Sequence, residues 1–412
     1  MSYFHTQQPR STTGDSPSAH HTAPHRSLSD CFKIFDVIHR HVHSTYHVKR
    51  IVQEMLADAV ADGVTYLEMR TTPRQLRDWP GAAGAGAAVA TTSCILVPAG
   101  CRVNNVVLLR DTEFQLDAPI DAALSHYVEE VVFAMCEYMD KASTSSRGGS
   151  GSGSSAGDVD TDVTNEVHAP ATHYCASLVA RLILSMNRTE AVEKAERVVS
   201  VALAWQRVHV ATHFVKASNT ATDASRTQTL LFSPVVVGLE VSGDPTRGDL
   251  PSLLDKLTVL LGSAGSRKLP VSIHAGEVMN VRETQYVLNW QPDRLGHMCV
   301  LSHTTAAELL SSRIPLEMCP TSNNLTLHLP DLSHHPQLRA LLLCEYPLCI
   351  CTDDAGVFEV TLSQELDALR TSFQLTDRQV CLWVVYVLCY VMSCLLCYVM
   401  LLMLCNAAEH IS

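Results

Sequence analysis

Positive charge is scarce in this chain of 412 residues: 30 Lys and Arg stand against 42 Asp and Glu, a formal net charge of −12. Nucleic-acid backbones are neutralised by clustered basic side chains, so this balance argues against such a partner. Repeated cysteine spacing is also missing. The 15 Cys form neither a metal-finger pattern nor a disulfide framework, and no cleavable secretory leader opens the sequence. Together these absences point to a reduced, cytoplasmic protein. What the chain does have is 47% hydrophobic residues, enough for a large core, and 20 His, several at the ends of apolar runs.

Three segments differ from the rest. Residues 1–30 are rich in Ser, Thr, Pro and His, lack apolar periodicity and read as disordered. Residues 79–170 contain "PGAAGAGAAVA" and "STSSRGGSGSGSSAGD" and read as a mostly disordered, low-complexity insertion with one helical piece around 120–140. Residues 381–412 read as a hydrophobic C-terminal helix. The uncharged run 380–405 is long enough to span a bilayer but has no flanking basic cluster, so a buried helix or a wrongly translated end competes with a membrane span.

Between these segments, in 31–78 and 171–380, apolar runs alternate with helix-period stretches. The runs are "VTYLEMR" (64–70), "LVARLILSM" (178–186), "PVVVGLEV" (234–241), "KLPVSIH" (268–274), "DRLGH" (293–297), "IPLEMC" (314–319) and "PLCICTD" (347–353). Near-continuous hydrophobic strands separated by helices imply a parallel sheet covered on both faces. Seven units predict an α/β fold: a (β/α)8 TIM-type barrel lacking its first strand, or a doubly wound sheet. In a barrel, chemistry sits at the C-terminal ends of the strands. Those ends carry His274 with Glu277 three residues on, His297, the pair Asp353 and Asp354, and Gly243 with Asp244. Imidazole and carboxylate donors suit Zn²⁺, which supplies the positive charge that adjacent aspartates need and brings water's pKa toward neutrality.

The ordered series "SIHAGEV", "RLGH", "PLEMCPTSNN" and "CTDDAGVF" resembles the adenosine deaminase family of zinc-dependent purine deaminases. Within it, "CFKIFDVIHR", "YLEMRTTPR" and "VSGDPT" are most similar to the branch that converts N6-methyl-AMP to IMP and methylamine. The resemblance implies one zinc per chain with His274 and Asp353 as ligands. It implies Glu277 as the acid that protonates purine N1 and His297 as the group that orients or deprotonates the attacking water. Asp354 would accept from the N7 side and the Gly243 backbone would meet the ring edge. His39, the stretch Thr71-Thr72-Pro73-Arg74 and Asn187 would line the ribose-phosphate pocket, with His274 also facing substrate. Physical requirements agree: Glu277 needs a buried setting that raises its pKa, Gly243 permits close backbone approach, and a guanidinium clamps two phosphate oxygens.

Departures accompany the resemblance. The family's opening strand ends in His-x-His, supplying two further zinc ligands, and no such strand stands in 1–30. His39, His41 and His43 alternate in "IHRHVHSTYH", but that stretch reads as helix, where alternate residues diverge by about 200°. Either the ligand strand lies upstream of the sequence, or the barrel binds purine nucleotides without turnover. A related amidohydrolase would use the same ligands with less need for Glu277 and Asp354. A cytidine-type deaminase is excluded, because the only Cys-x-x-Cys, Cys394 to Cys397, lacks its Pro. The expected partner is a small purine nucleotide or nucleoside, and the expected state a monomer.

Overall fold

The computed structural model describes residues 27–79, 102–103, 106–110, 120–145, 178–215 and 228–380. In chain order the elements begin α1 (Leu28–His41), α2 (Thr45–Ala61), β1 (Tyr66–Thr71), β2 (Arg102–Val103), β3 (Val106–Arg110), α3 (Ala122–Ser145), β4 (Val179–Asn187) and α4 (Val192–Trp205). They continue β5 (Val208–Val215), β6 (Gln228–Pro234), β7 (Val236–Ser242), α5 (Leu250–Leu261), β8 (Val271–Ala275), α6 (Val281–Trp290), β9 (Arg294–His297) and α7 (His303–Ser312). The last are β10 (Leu316–Met318), α8 (Pro320–Thr326), α9 (Leu338–Leu343), β11 (Leu348–Ile350), α10 (Ala355–Phe358) and α11 (Leu362–Phe373).

All seven expected runs become strands of one sheet in the order β1-β4-β7-β8-β9-β10-β11, every neighbouring pair parallel. Covering helices present apolar stripes to it. In α5, Leu250, Leu253, Leu254, Leu257 and Leu261 are all buried, the i, i+3, i+4, i+7 spacing of one helical face. The sheet is curled, and its ion pairs prove it. Arg70 of β1 is paired with Glu317 of β10, and Arg294 Nη1 of β9 lies 2.7 Å from Glu68 Oε2 of β1. On a flat sheet five strand spacings would separate β1 from β10 by about 24 Å. The curvature is that of a barrel wall, as the alternation of runs and helices requires.

A second, four-stranded antiparallel sheet, β2-β3-β5-β6, was not expected from the sequence. Within the stretch read as a loose insertion, the described residues fold as β2, β3 and α3. The helical piece expected around 120–140 is α3, whose Ser125 Oγ accepts from the buried Trp205 indole at 3.0 Å. The segment read as disordered to residue 30 is corrected at its end, because α1 starts at Leu28. Ser27 caps that helix and Asp30 returns the hydrogen bond, a closed capping box. His39 and His41 lie on this helix, as their reading required. The hydrophobic C-terminal helix and the remaining low-complexity stretches lie outside the described residues. Among the described residues, no helix is long and apolar enough to cross a membrane.

Candidate active site

The C-terminal strand ends converge where the sequence placed its chemistry. His297 closes β9 with a φ of 64°, followed by Met298 at 48°. L residues avoid this region, and surrounding bonds enforce it here. Met298 N donates to Ala275 O at 2.9 Å, and Cys299 N and Val300 N both donate to Gly276 O, at 3.0 and 2.7 Å. Asp353, with a φ of 55°, follows β11 in the same strained fashion. Its Oδ2 accepts from Ser322 Oγ at 2.8 Å. Asn323 Nδ2 lies 3.1 Å from His297 Nδ1. Both polar residues come from the short α8, whose N-cap is Cys319. One donor atom each from His297, Cys319 and Asp353 lie within 4.8 Å of one another.

His274, at the end of β8, stands in the same place and is paired below it. Its Nε2 lies 2.8 Å from Glu240 Oε1 and 2.8 Å from Arg70 Nη1. Burial alone would lower this imidazole, but the Glu240 carboxylate outweighs it and raises the pKa to about 9. The His274 and His297 rings stand 4.7 Å apart, edge to face. Charge beneath the site surrounds this imidazole. Glu68, Glu240 and Glu317 face Arg70 and Arg294 inside the barrel, and a protonated His274 evens that balance.

Asp354 lies at the barrel mouth, where the desolvating protein around it, then Asp353 and Glu240, push its carboxyl up to about 7. Glu277 is half-buried, and its charge, after burial itself, helps to hold the Cys299 thiol well above its ordinary value. The Cys319 thiol is likewise raised, first by its hydrogen bond to Cys351, then by burial and Asp353. Asn187 and Gly243 do meet: a Cβ on Gly243 would stand 2.5 Å from Asn187 Oδ1, and that glycine has a φ of 112°. Asn187 Oδ1 accepts from Thr189 N and Oγ1, at 3.0 and 2.8 Å. His39, near the end of α1, is lowered by burial and then by the Arg74 charge, with Asp36, Glu190 and Lys194 also within electrostatic reach. Thr71 Oγ1 lies 2.7 Å from Tyr127 OH, Pro73 is buried, and Thr72 is half-buried.

Several residues of this site were given no role of their own in the sequence. Arg70, Glu240 and Glu317 are charges inside the runs "YLEMR", "GLEV" and "PLEMC", and a charge inside a buried strand is a readable sign of an inward ion pair. Cys319, Ser322 and Asn323 sit in "CPTSNN", whose Pro at the first helical turn marks a helix start.

The curled parallel sheet, with imidazole, thiol and carboxylates at its C-terminal rim, defines a barrel hydrolase. The adenosine deaminase family model matches residues 163–382, more than half of the chain, and the chain belongs to that family. Among its relatives, the N6-mAMP deaminase of Arabidopsis thaliana is 27% identical over 346 residues, covering 82% of this chain and 72% of the relative. The N6-methyl-AMP deaminase of Homo sapiens is 25% identical over 362 residues, covering 86% and 73%. In fold, the chain is similar to the crystal structure of Arabidopsis ADAL complexed with IMP, with a TM-score of 0.63 at 23% identity over 93% of this chain and 84% of that one. An adenine deaminase from Arthrobacter aurescens gives 0.57 at 12% identity, covering 93% and 86%.

Proposed function

We propose that this protein is a zinc-dependent hydrolase that removes methylamine from N6-methyl-AMP, leaving IMP. The C6–N bond breaks and a C6–O bond forms from water; one of water's two protons ends on the departing amine and the other replaces the proton that Glu277 gives to N1. The observation that carries this reading is the gathering of Asp353, Asp354, His297 and Glu277 at one end of a curled parallel sheet in a chain of this family. The polypeptides it resembles are deaminases of the same nucleotide by name.

The donor set around Asp353 suits zinc: imidazole, thiol and carboxylate are its ordinary ligands. Asn323 Oδ1, buried without a hydrogen-bond partner, fits an imidazole that needs its Nδ1–H accepted so that Nε2 is free. When bound, the ion supplies Lewis acidity that makes water acidic near neutral pH. The protein's own groups supply the rest. Glu277 gives a proton to purine N1, which draws electrons from C6. Asp354, whose carboxyl sits near 7, shares a proton with N7. The backbone at Gly243 can approach the flat ring because no Cβ intervenes. Arg74 after β1 and His39 near the end of α1 would face the ribose-phosphate, with Thr71, Thr72, Pro73 and Asn187, and the guanidinium would pair two phosphate oxygens.

A second reading, a barrel that binds purine nucleotides without turnover, draws on one observation: the His274 imidazole is committed to Glu240. The test is direct. The full-length protein supplied with zinc should release methylamine from N6-methyl-AMP, in preference to ammonia from AMP or adenosine, and hold near one zinc per chain. Glu277→Gln should cut the rate by about 10²–10⁴-fold, the usual contribution of a general acid, with zinc content unchanged. Zinc without amine release from any of the three would favour the binding-only reading, and loss of zinc in the variant would remove Glu277 from its role.

A further inference from the structure

The proposed reaction draws one substrate group from the loop after β7, the Gly243 backbone, and one from the segment after β8, Glu277. Neither stretch is helix or strand, and a buried cluster behind them ties the two together. We propose that Arg188 is a positioning residue of the purine pocket: its guanidinium fixes the loop that carries Gly243 against the helix that follows Glu277. The inference rests on the deaminase reading for the reaction, and assigns a part in it to a side chain that meets no reacting group.

Arg188 follows β4, and its own N–H donates to Ser242 O at 2.8 Å. The residue is 4% exposed, so its charge must be met from within. All three guanidinium nitrogens are engaged. Nη1 donates to Glu283 Oε1 at 3.0 Å and Nη2 donates to Glu283 Oε2, the two-pronged grip of an arginine on a carboxylate. Nε donates to the Arg247 carbonyl at 2.9 Å. Glu283 is itself buried in the first turn of α6, where its N–H donates to the capping Asn280 side chain at 3.2 Å. The loop after β7 is folded on Asp244, whose carboxylate accepts from Thr246 N and Oγ1 at 3.0 and 2.6 Å. The Asp244 carbonyl accepts from Arg247 N at 3.1 Å. That loop then presses on the Arg188 backbone: a Cβ on Gly248, whose φ is 78°, would stand 2.4 Å from Arg188 O. One buried side chain thus joins the segments that follow three neighbouring strands, β4, β7 and β8.

Stability alone does not account for this arrangement. A buried ion pair adds little over an apolar pair of similar volume, whereas the planar fork of an arginine fixes direction as well as distance. Direction is what the reaction needs. Glu277 must reach N1 while the Gly243 backbone holds the ring edge, and a displacement of about 1 Å at such a contact costs roughly 10²-fold in rate.

The experiment separates geometry from stability, with kcat, KM and zinc content measured on the full-length, zinc-loaded protein and N6-methyl-AMP. Arg188→Met strands the Glu283 charge and should lower both the melting temperature and kcat. The double variant Arg188→Met with Glu283→Leu strands nothing. It should melt close to the wild type and hold as much zinc, yet keep kcat down by about 10²-fold with KM little changed, the mark of a contact that matters in the transition state. Arg188→Lys keeps a charge for Glu283 but cannot also reach the Arg247 carbonyl, and should lose roughly tenfold in kcat, the worth of one charge-assisted hydrogen bond. If the double variant does not fold, the lysine variant decides. The tie is also read without turnover: hydrogen exchange at the Arg247 amide should quicken in the double variant or, failing that, in the lysine variant. A stable double variant as fast as wild type, a lysine variant at the wild-type rate, a loss carried by KM alone, or unchanged exchange overturns the inference and leaves the proposed function standing. A wild-type protein that releases no amine from N6-methyl-AMP, AMP or adenosine sinks the proposed function and this role with it, whatever the exchange shows.

Discussion

Gly296 pairs with His274 across β8 and β9, and the imidazole lies where a side chain on that glycine would begin. A Cβ would meet His274 Cδ2 at 2.3 Å and Nε2 at 2.8 Å. The ring cannot give way freely, because Glu240 and Arg70 hold its Nε2. Gly296→Ala is therefore expected to cost about 1–3 kcal/mol, as overpacking of a tight interior does, and to change the His274 imidazole resonances in an NMR spectrum. Urea melts of the two proteins check the first, and an unchanged midpoint would mean that the ring has room after all. The residues of the site divide by how loudly they speak in sequence. His274, His297, Asp353 and Asp354 stand out because polar groups ending an apolar run need a reason. Cys319 does not, since a cysteine in such a run reads as a small hydrophobe, and only the geometry sets it beside two ligand-capable neighbours.

The helix α11 contributes Glu365, fully buried, which accepts from Thr321 N at 3.2 and 3.0 Å and from Thr321 Oγ1 at 3.0 Å. Burial outweighs those bonds and raises the carboxyl from 4.5 to about 7. The sign of its effect follows. Between those values the unfolded chain has lost the proton while the folded one still holds it, so stability falls as pH rises from about 4.5 to 7 and the loss is complete above. Glu365→Gln should flatten that slope and raise stability at pH 8 by on the order of 2 kcal/mol. Thermal melts from pH 4.5 to 8 measure it, and a variant no more stable at pH 8 would show that the lost hydrogen bond matters more than the buried charge. At this scale the barrel strands were legible because each is an apolar run. The second sheet was not. Its β5, "VHVATHFV", is interrupted by His209, Thr212 and His213, so it is neither a continuous apolar run nor a clean alternation, the two patterns by which a strand is read from sequence.

Across the whole molecule, the chain order of strands and the family's motifs made the barrel class readable, whereas the charges that bend it into shape appear only when strands far apart in sequence meet. Arg70 and Arg294 join β1 to β7, β9 and β10 through Glu68, Glu240 and Glu317. Burial opposes ionisation of Glu317, but Arg70 and Arg294 overcome it and hold the carboxyl down at about 2. β1 and β11 end the hydrogen-bonded order, so between β1 and β10 these ions act as a fastening where the backbone ladder does not run. Such a clasp is vulnerable to an imitator. Guanidinium carries the same planar cation as the arginine side chain and can take its place on a carboxylate, which urea cannot. Guanidinium is ordinarily about twice as effective as urea; here the urea midpoint should exceed the guanidinium midpoint by more than about twofold, and urea with matched sodium chloride should not reproduce the gap. A ratio near two would mean that the wall keeps its bend without its ions.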